Sequence, residues 1–349
     1  MVNELYFSVI ICLYNCEIFF DRGIKCLLNQ TFKDFELILV DDGSTDSTFQ
    51  LCDKMAVSYP NVKVIHQSNS GLGAARNRGI EVTKGKYICF FDIDDEVGND
   101  WLNNIYEELN DFSADLLIYG YEERNLKYRS SNIFRFGRGI IEDKKGLAKE
   151  FVQTLSGIKF NNGFAWNKVY RRDFILEHSL KFPNDAIQQD EIFNHNVYQC
   201  FPKILISDKI LYHYYIFDKG NIRKRFIPQR ITIFENVKKS FIEIDNTFEI
   251  KDDKLKKYIH LRFLRNVLFN RNPFERFNER KNFYRILIAN PEVADSVAFL
   301  KKNNIEVQSI HDIFFSLYCH GVRKKSILVL IIVDYLYRGL NKVANLTHK

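Results

Sequence analysis

The sequence predicts an α/β fold, a mostly parallel sheet flanked by helices, followed by a mainly helical C-terminal region. Three observations predict it. Apolar, β-branched runs of strand length alternate with amphipathic stretches of about 10–15 residues over the N-terminal part of the chain. The runs end in polar clusters, and ligands of such sheets bind at the carboxyl ends of the strands. After Asn221, glycine-poor stretches with an apolar residue at every fourth position take over. The expected division is a catalytic α/β domain over 1–220 and a helical region over 221–349 that serves acceptor, membrane or oligomer contacts.

Phe7 to Leu13 reads as a buried strand ended by Asn15. Phe19, Phe20, Ile24, Leu27 and Leu28 recur at three- and four-residue intervals, which makes Cys16 to Gln30 a helix with one buried face. Phe35 to Val40 is the second strand. It runs into Asp41-Asp42-Gly43-Ser44-Thr45-Asp46, where Ser44 or Asp46 caps a helix through Phe49, Cys52 and Ala56. Val62 to His66 is the third strand and Tyr87 to Phe91, apolar or aromatic throughout, the fourth. Strands separated by single helices imply βαβ crossovers.

The fourth strand delivers Asp92, Asp94 and Asp95. Each carboxylate raises the ionisation cost of its neighbours, so the cluster calls for a cation. Mg²⁺ or Mn²⁺ needs one or two carboxylates plus substrate phosphates. An acidic turn capping the next helix is the competing reading of so short a motif. Tyr14-Asn15, Asp41-Asp42, Gln67 to Asn69 and Asp92 to Asp95 all converge on one sheet edge, and an edge of ordinary polar turns would not carry that acidic bias. Ser70 to Gly79 contributes small residues at a helix N-terminus, an anion site to which Arg76 or Arg78 adds positive charge. With neither a six-residue dinucleotide fingerprint nor a Gly-Lys-Ser/Thr loop, dinucleotide dehydrogenases and P-loop enzymes are disfavoured.

Composition sets the remaining bounds. A chain of 349 residues with 46% hydrophobic content can bury a sizeable core, and only 6 Pro and 16 Gly argue against long disordered stretches. The seven cysteines are odd in number and lack Cys-X-X-Cys spacing, which points to a reducing cytoplasm and no zinc site. No secretory signal is read at the N-terminus. The net charge of +6 is unevenly spread, with Lys and Arg crowding the C-terminal third, so basic surface there suits anionic lipid or phosphate. Nucleic acid is not an expected partner, because no nucleic-acid module is present.

Ser8-Val9-Ile10-Ile11 through Tyr14-Asn15, Gln30 to Glu36, Val40-Asp41-Asp42-Gly43-Ser44-Thr45-Asp46, Asn69-Ser70-Gly71 and Ala75-Arg76-Asn77 together resemble glycosyltransferase family 2 in order and spacing. Asp92-Ile93-Asp94 resembles that family's metal-binding Asp-X-Asp, and the likeness continues more weakly through Trp166 to Arg171 and Leu211 to Tyr214. The resemblance implies a GT-A fold and transfer of a sugar from a nucleotide donor with inversion. Tyr14 and Asp42, with Asp41 beside it, resemble uridine-binding positions, and Arg76 and Asp92 resemble positions near the diphosphate, ribose or donor sugar. Cys12, Asn15, Asn69, Gly71 and Ile93 complete the implied nucleotide-sugar site. Asp94 resembles the metal ligand, with His213 as a further candidate and a packed core histidine as its alternative. The base matches Asp190, with Glu191 as rival. Two positions depart from the family: Gln189 stands where relatives have Glu, and Tyr215 where they have Arg, so that a donor-phosphate contact is either missing or taken by Arg223 or Arg225.

The implied activity is an inverting Mn²⁺- or Mg²⁺-dependent hexosyl- or N-acetylhexosaminyltransferase. Its expected partners are a UDP-sugar donor, a glycan or polyprenyl-linked acceptor, an anionic membrane surface and a second copy of the chain. It would act in bacterial capsule, surface-polysaccharide or teichoic-acid-type biosynthesis, in the cytoplasm or at the inner face of the cell membrane. The rivals are a catalytically silent sugar-nucleotide-binding subunit and an enzyme acting on a protein-linked glycan. In the C-terminal third, Leu255, Ile259, Phe263 and Val267 mark one helix. Ser326 to Tyr337 is apolar apart from Asp334 and lies between basic clusters, too short to span a bilayer. It is either a buried packing helix or an interfacial anchor.

Overall fold

A computed structural model describes residues 5–155, 162–185, 187–217, 226–269, 277–303 and 309–347. The chain divides into two compact units, Met1–Asn221 with Ile244–Glu249, and Ile222–Glu243 with Ile250–Lys349.

The first unit is built on a mixed sheet. Strands β1 (Phe7–Leu13), β2 (Phe35–Asp41), β3 (Val62–His66) and β4 (Tyr87–Phe91) lie in the order β3-β2-β1-β4, all parallel. They are connected through α1 (Glu17–Leu28), α2 (Thr48–Ser58) and α3 (Leu72–Glu81). Every residue of β2 and β4 is buried, which a continuous apolar run requires when both faces of a sheet are covered. The chain adds β2 and β3 on one side of β1 and then returns to the other side for β4. That reversal is a topological switch point, and a crevice opens beyond the carboxyl ends of β1 and β4. The register pairs Ile11 with Phe91, so Cys12 and Asp92 leave the sheet side by side.

Beyond β4 follow α4 (Trp101–Asp111), β5 (Leu116–Asn125), β6 (Ser130–Phe134), β7 (Gly139–Ile141), α5 (Lys144–Glu150), β8 (Lys168–Arg171), α6 (Arg172–Glu177), α7 (Gln189–Gln199) and β9 (Ile204–Ile216). Strand β8 runs antiparallel between β4 and β5, and β9 pairs parallel to β5. The first four strands match the sequence reading closely. Ser47, not Ser44 or Asp46, occupies the N-cap position of α2, but Asp46 still accepts from the Thr48 N–H (2.9 Å).

The second unit is helical: α8 (Arg230–Phe248, whose last turn belongs to the first unit), α9 (Asp253–Leu268), α10 (Phe277–Ala289), α11 (Pro291–Lys302), α12 (Ile310–Arg323) and α13 (Ile327–Thr347). Asp252, Asn290 and Ser309 cap three of them through side-chain oxygens. Leu255, Ile259, Phe263 and Val267 are all buried, as their spacing predicts. Ser326 to Tyr337 divides by face: Leu330, Ile331 and Val333 pack inward, whereas Leu328, Ile332, Tyr335 and Leu336 are exposed. Among the described residues no helix is long and apolar enough to cross a membrane.

Gly43, with φ +75°, turns the chain at the end of β2, and a Cβ there would stand 2.7 Å from the Asn69 nitrogen. Gly43→Ala is expected to lower stability by about 1–3 kcal/mol in denaturant titration. Gly137→Ala, where a Cβ meets nothing within 4 Å, should leave the midpoint unchanged.

Candidate active site

The turn after β4 is held from beneath. Asp95 is buried, and its two oxygens accept from the Tyr212 hydroxyl (2.9 Å) and the Tyr215 N–H (2.8 Å). The Tyr212 hydroxyl in turn accepts the Asp92 N–H (3.1 Å), and Glu96 and His213 exchange backbone hydrogen bonds. Arg22 on α1 donates to the Asp94 carbonyl and lies 4.7 Å from the Tyr215 ring centre. Ile93 is buried against Gly23, where any Cβ would strike its backbone. Burial, reinforced by Asp94 and Asp92, pushes the Asp95 carboxyl well above its usual range. The Asp94 carboxyl is pushed up to about 6, first by burial and then by Asp92. Burial and the neighbouring carboxylates thus both disfavour the ionised forms at this strand end.

At the neighbouring strand end, Asp42 is a latch. Oδ1 accepts Gln67 Nε2 (2.7 Å) and Ser70 N–H (2.8 Å), and Oδ2 accepts Gly71 N–H (2.8 Å). Those amides open α3, where a carboxylate satisfies orphan donors and meets the helix dipole. Gly71 adopts φ +89° to allow it. Asn15, at φ 48°, accepts the Thr45 N–H (2.7 Å) and so ties β1 to the same loop. Asp41 faces the other way, to His66 Nδ1 (2.9 Å), whose Nε2 meets Asp53 (3.1 Å). Tyr14 is 52% exposed at the mouth of the crevice. Burial pushes the Cys12 thiol up to about 12 against the pull of Arg76, so it stays protonated.

Arg76 links this wall to α7. Its guanidinium is buried, 3.5 Å from Asp92 and stacked near Phe182 (5.2 Å) and Phe90 (5.8 Å). Burial works to lower its pKa, but Asp92 and then Asp190 hold it above the ordinary value. Asp190 sits half-buried in the first turn of α7, where its Oδ1 accepts the Glu191 N–H (3.1 Å). Glu191 is buried, with its Cβ and Cγ close behind Gly163. Lys168 is completely buried beneath. Its ammonium donates to the carbonyls of Asn162 (2.6 Å) and Phe164 (2.7 Å) and to Asn167 Oδ1 (2.9 Å), with Asn162 Oδ1 a longer fourth contact (3.4 Å). Burial lowers its pKa to about 7, with Asp190 and Glu150 acting in the opposite direction. Asn194 completes the strap, donating to the carbonyls of Gly163 (2.9 Å) and Asp190 (2.9 Å) and accepting from the Tyr170 hydroxyl (2.8 Å).

The sequence profile of Glycosyl transferase family 2 matches residues 8–176, which holds β1 to β4 and the Asp92–Asp95 turn. EpsH of Bacillus subtilis (strain 168) is 30% identical over 263 residues, 73% of this chain and 74% of that protein. The chain belongs to glycosyltransferase family 2. The poly(ribitol-phosphate) beta-glucosyltransferase of Bacillus spizizenii is 30% identical to this glycosyltransferase over 60% of its chain, which spans only 32% of that longer protein. In three dimensions, residues 1–349 of S. aureus TarS, crystallised with UDP-GlcNAc, match with TM-score 0.64 at 21% identity, covering 96% of this chain and 92% of that one. That likeness establishes the GT-A fold.

In this glycosyltransferase, Cys12, Tyr14, Asn15, Asp42, Gly71, Arg76 and Asp92 gather at the carboxyl ends of β1, β2 and β4, with Asn69 packed on Gly43. His213 instead meets Glu122 through Nδ1 (3.0 Å), and burial, then Arg124, hold its pKa below the ordinary value. Among the described residues no group of three or more His, Cys, Asp or Glu side chains forms a metal cage. At the Tyr215 position the hydroxyl accepts from Arg124 (3.0 Å) and donates to Glu96 (2.8 Å). Arg124 on β5 thus brings a guanidinium to the Tyr215 hydroxyl; Arg223 and Arg225 lie outside the described residues. Sequence reasoning missed Arg22, Lys168, Tyr212 and Arg124, although the polar residues in Trp166 to Arg171 and Leu211 to Tyr215 were the available signal. Gln189 is buried, and its side-chain oxygen has no hydrogen-bond partner among the described residues. A Glu there would place an unpaired charge in the same spot.

Burial lowers the pKa of His66, but Asp41 and Asp53 outweigh it, and the imidazole titrates above its ordinary value. The folded state thus binds a proton more tightly than the unfolded chain. Its contribution to stability is complete below the unfolded pKa of about 6.5 and is lost as pH rises through the folded pKa. His66→Gln should therefore lower the denaturant midpoint more at pH 5.5 than at pH 8.5. An equal loss at both pH values contradicts the linkage.

Proposed function

We propose that the chain is an inverting, metal-dependent glycosyltransferase that moves a hexosyl or N-acetylhexosaminyl group from a UDP-sugar to a hydroxyl of a glycan or polyprenyl-linked acceptor. The setting would be capsule, surface-polysaccharide or teichoic-acid-type biosynthesis. The relatives' printed activities and the UDP-GlcNAc carried by TarS support the donor and the setting. The observation that carries the chemistry is Asp190, a half-buried carboxylate beside two buried basic side chains, Arg76 and Lys168, with Arg76 also paired to Asp92.

In this reading Tyr14 stacks on the uracil and Asp42 fixes the loop beside it. Arg76 serves the diphosphate: its Nη1 is buried and has no hydrogen-bond partner among the described residues, so a donor remains for a phosphate oxygen. The acceptor oxygen bonds to C1 as the C1–O bond to UDP breaks on the opposite face, and Asp190 takes the acceptor's proton. One carboxylate suffices, since no acid is needed at a diphosphate leaving group.

The donor set fits a hard divalent cation of the Mg²⁺ or Mn²⁺ kind. Asp94 would be the principal protein ligand and phosphate oxygens would fill the remaining positions. With Glu122 accepting at Nδ1, His213 keeps a lone pair on Nε2, which suits it as an additional ligand. When bound, such a cation neutralises charge developing on UDP.

Screening the purified protein against a panel of UDP- and other nucleotide sugars, with UDP release as the signal, tests the reading. Turnover of none, together with no UDP binding, would sink it. Asp94→Ala should abolish the enhancement of UDP affinity by Mn²⁺ in calorimetry, and an unchanged metal dependence removes Asp94 as ligand. Asp190→Asn should cut turnover by ~10²-fold or more and leave UDP affinity nearly unaltered. If Glu191→Gln shows that loss and Asp190→Asn does not, the base is one residue further on.

A further inference from the structure

The hairpin of α12 and α13 exposes an apolar surface that its own unit leaves uncovered. On α13, Leu328 (62% exposed), Ile332, Tyr335 and Leu336 recur at helical spacing, and on α12 Ile310, Ile313 and Leu317 do the same. The opposite faces hold Phe315, Tyr318, Val322, Leu330, Ile331 and Val333 in the core, so the exposed residues are not a packing surplus of an otherwise polar face. Between the two helices stand Arg323, Lys324 and Lys325, all exposed.

The charge pattern decides what such a surface fits. The only carboxylates from 309 to 338 are Asp312 and Asp334. Both are buried and internally paired, Asp312 with Arg265 (2.6 Å) and Asp334 with Arg338 (3.0 Å) and Arg280 (3.6 Å). The outward surface of the hairpin is thus apolar and cationic with no exposed acid. A protein partner that matched it would need a complementary acidic rim, whereas an anionic lipid surface supplies charge and hydrocarbon at once.

We propose that this hairpin seats the protein on an anionic lipid surface, with Leu328, Ile332 and Leu336 in the acyl boundary, Tyr335 at headgroup level and Arg323, Lys324 and Lys325 against lipid phosphate. The inference does not depend on the sugar chemistry. Because the inner face of α13 fills the core, point changes on the outer face are the appropriate probes, and truncation is not.

The test is co-sedimentation of the full chain with phosphatidylcholine vesicles containing 30% phosphatidylglycerol, or none (about 1 kcal/mol per basic residue sets the scale). The full chain should sediment with the anionic vesicles only, and 0.5 M NaCl should release most of it. Arg323→Ser/Lys324→Ser/Lys325→Ser should weaken partitioning by about two orders of magnitude. Leu328→Ser/Ile332→Ser should abolish it while circular dichroism and the thermal midpoint stay unchanged. Equal sedimentation with neutral vesicles, or wild-type sedimentation by either variant, overturns the proposal. So does a concentration-dependent oligomer that Ile332→Ser dissolves while no vesicle binding is seen, since the face would then join copies of the chain. Loss of nucleotide-sugar turnover with vesicle binding intact would count against the proposed function and leave this inference standing.

Discussion

The buried carboxylate of Asp95 is the constraint on which the site depends. A carboxylate between Asp94 and the interior is costly to ionise, and its pKa is driven up accordingly. Yet it receives the Tyr212 hydroxyl and the Tyr215 amide, both from β9, and the same hydroxyl receives the Asp92 amide. One polar cluster therefore joins the end of a parallel strand to a distant strand and fixes the turn between them. With Ile93 wedged on Gly23 and Arg22 on the Asp94 carbonyl, the backbone of the turn is held on both sides. Such a network is stable only when its members are paired together.

The same division of labour recurs around the crevice. Asp42 latches the start of α3, Asp41 holds the Ser44 N–H and His66, Lys168 gathers the carbonyls of the segment before β8, and Asn194 ties that segment to the first turn of α7. These groups hold backbone, and their neighbours Tyr14, Asp92, Asp94 and Asp190 are the less buried ones. Adjacent residues of like chemistry thus take opposite duties because strand and helix termini send consecutive side chains in different directions.

That alternation explains what could be read from the sequence. Strands β1, β2 and β4 were legible because both faces are covered and the runs are almost wholly apolar, and the half-exposed β3 because valine and isoleucine dominate it. The crevice followed from the strand ends. Which of Asp92, Asp94 and Asp95 turns inward was not legible, since the answer lies in Tyr212 and Tyr215, more than a hundred residues away. Strand β8 was hidden for a related reason: Lys168 and Arg171 look like loop residues until the carbonyl cage and Asp115 are in place. In the helical unit the four-residue period gave α9 directly. Ser326 to Tyr337 carries one apolar pattern that serves two surroundings, core on one face and solvent on the other, and hydropathy alone does not separate them.

The central claim is that Asp95 holds the turn while Asp94 and Asp92 face the ligand. A crystal structure with UDP and Mn²⁺ tests it most directly. The account predicts the cation on an Asp94 oxygen, the diphosphate near Arg76, and Asp95 still bonded to Tyr212 and Tyr215. A cation coordinated by Asp95, or a nucleotide bound away from the carboxyl ends of β1 and β4, would contradict it.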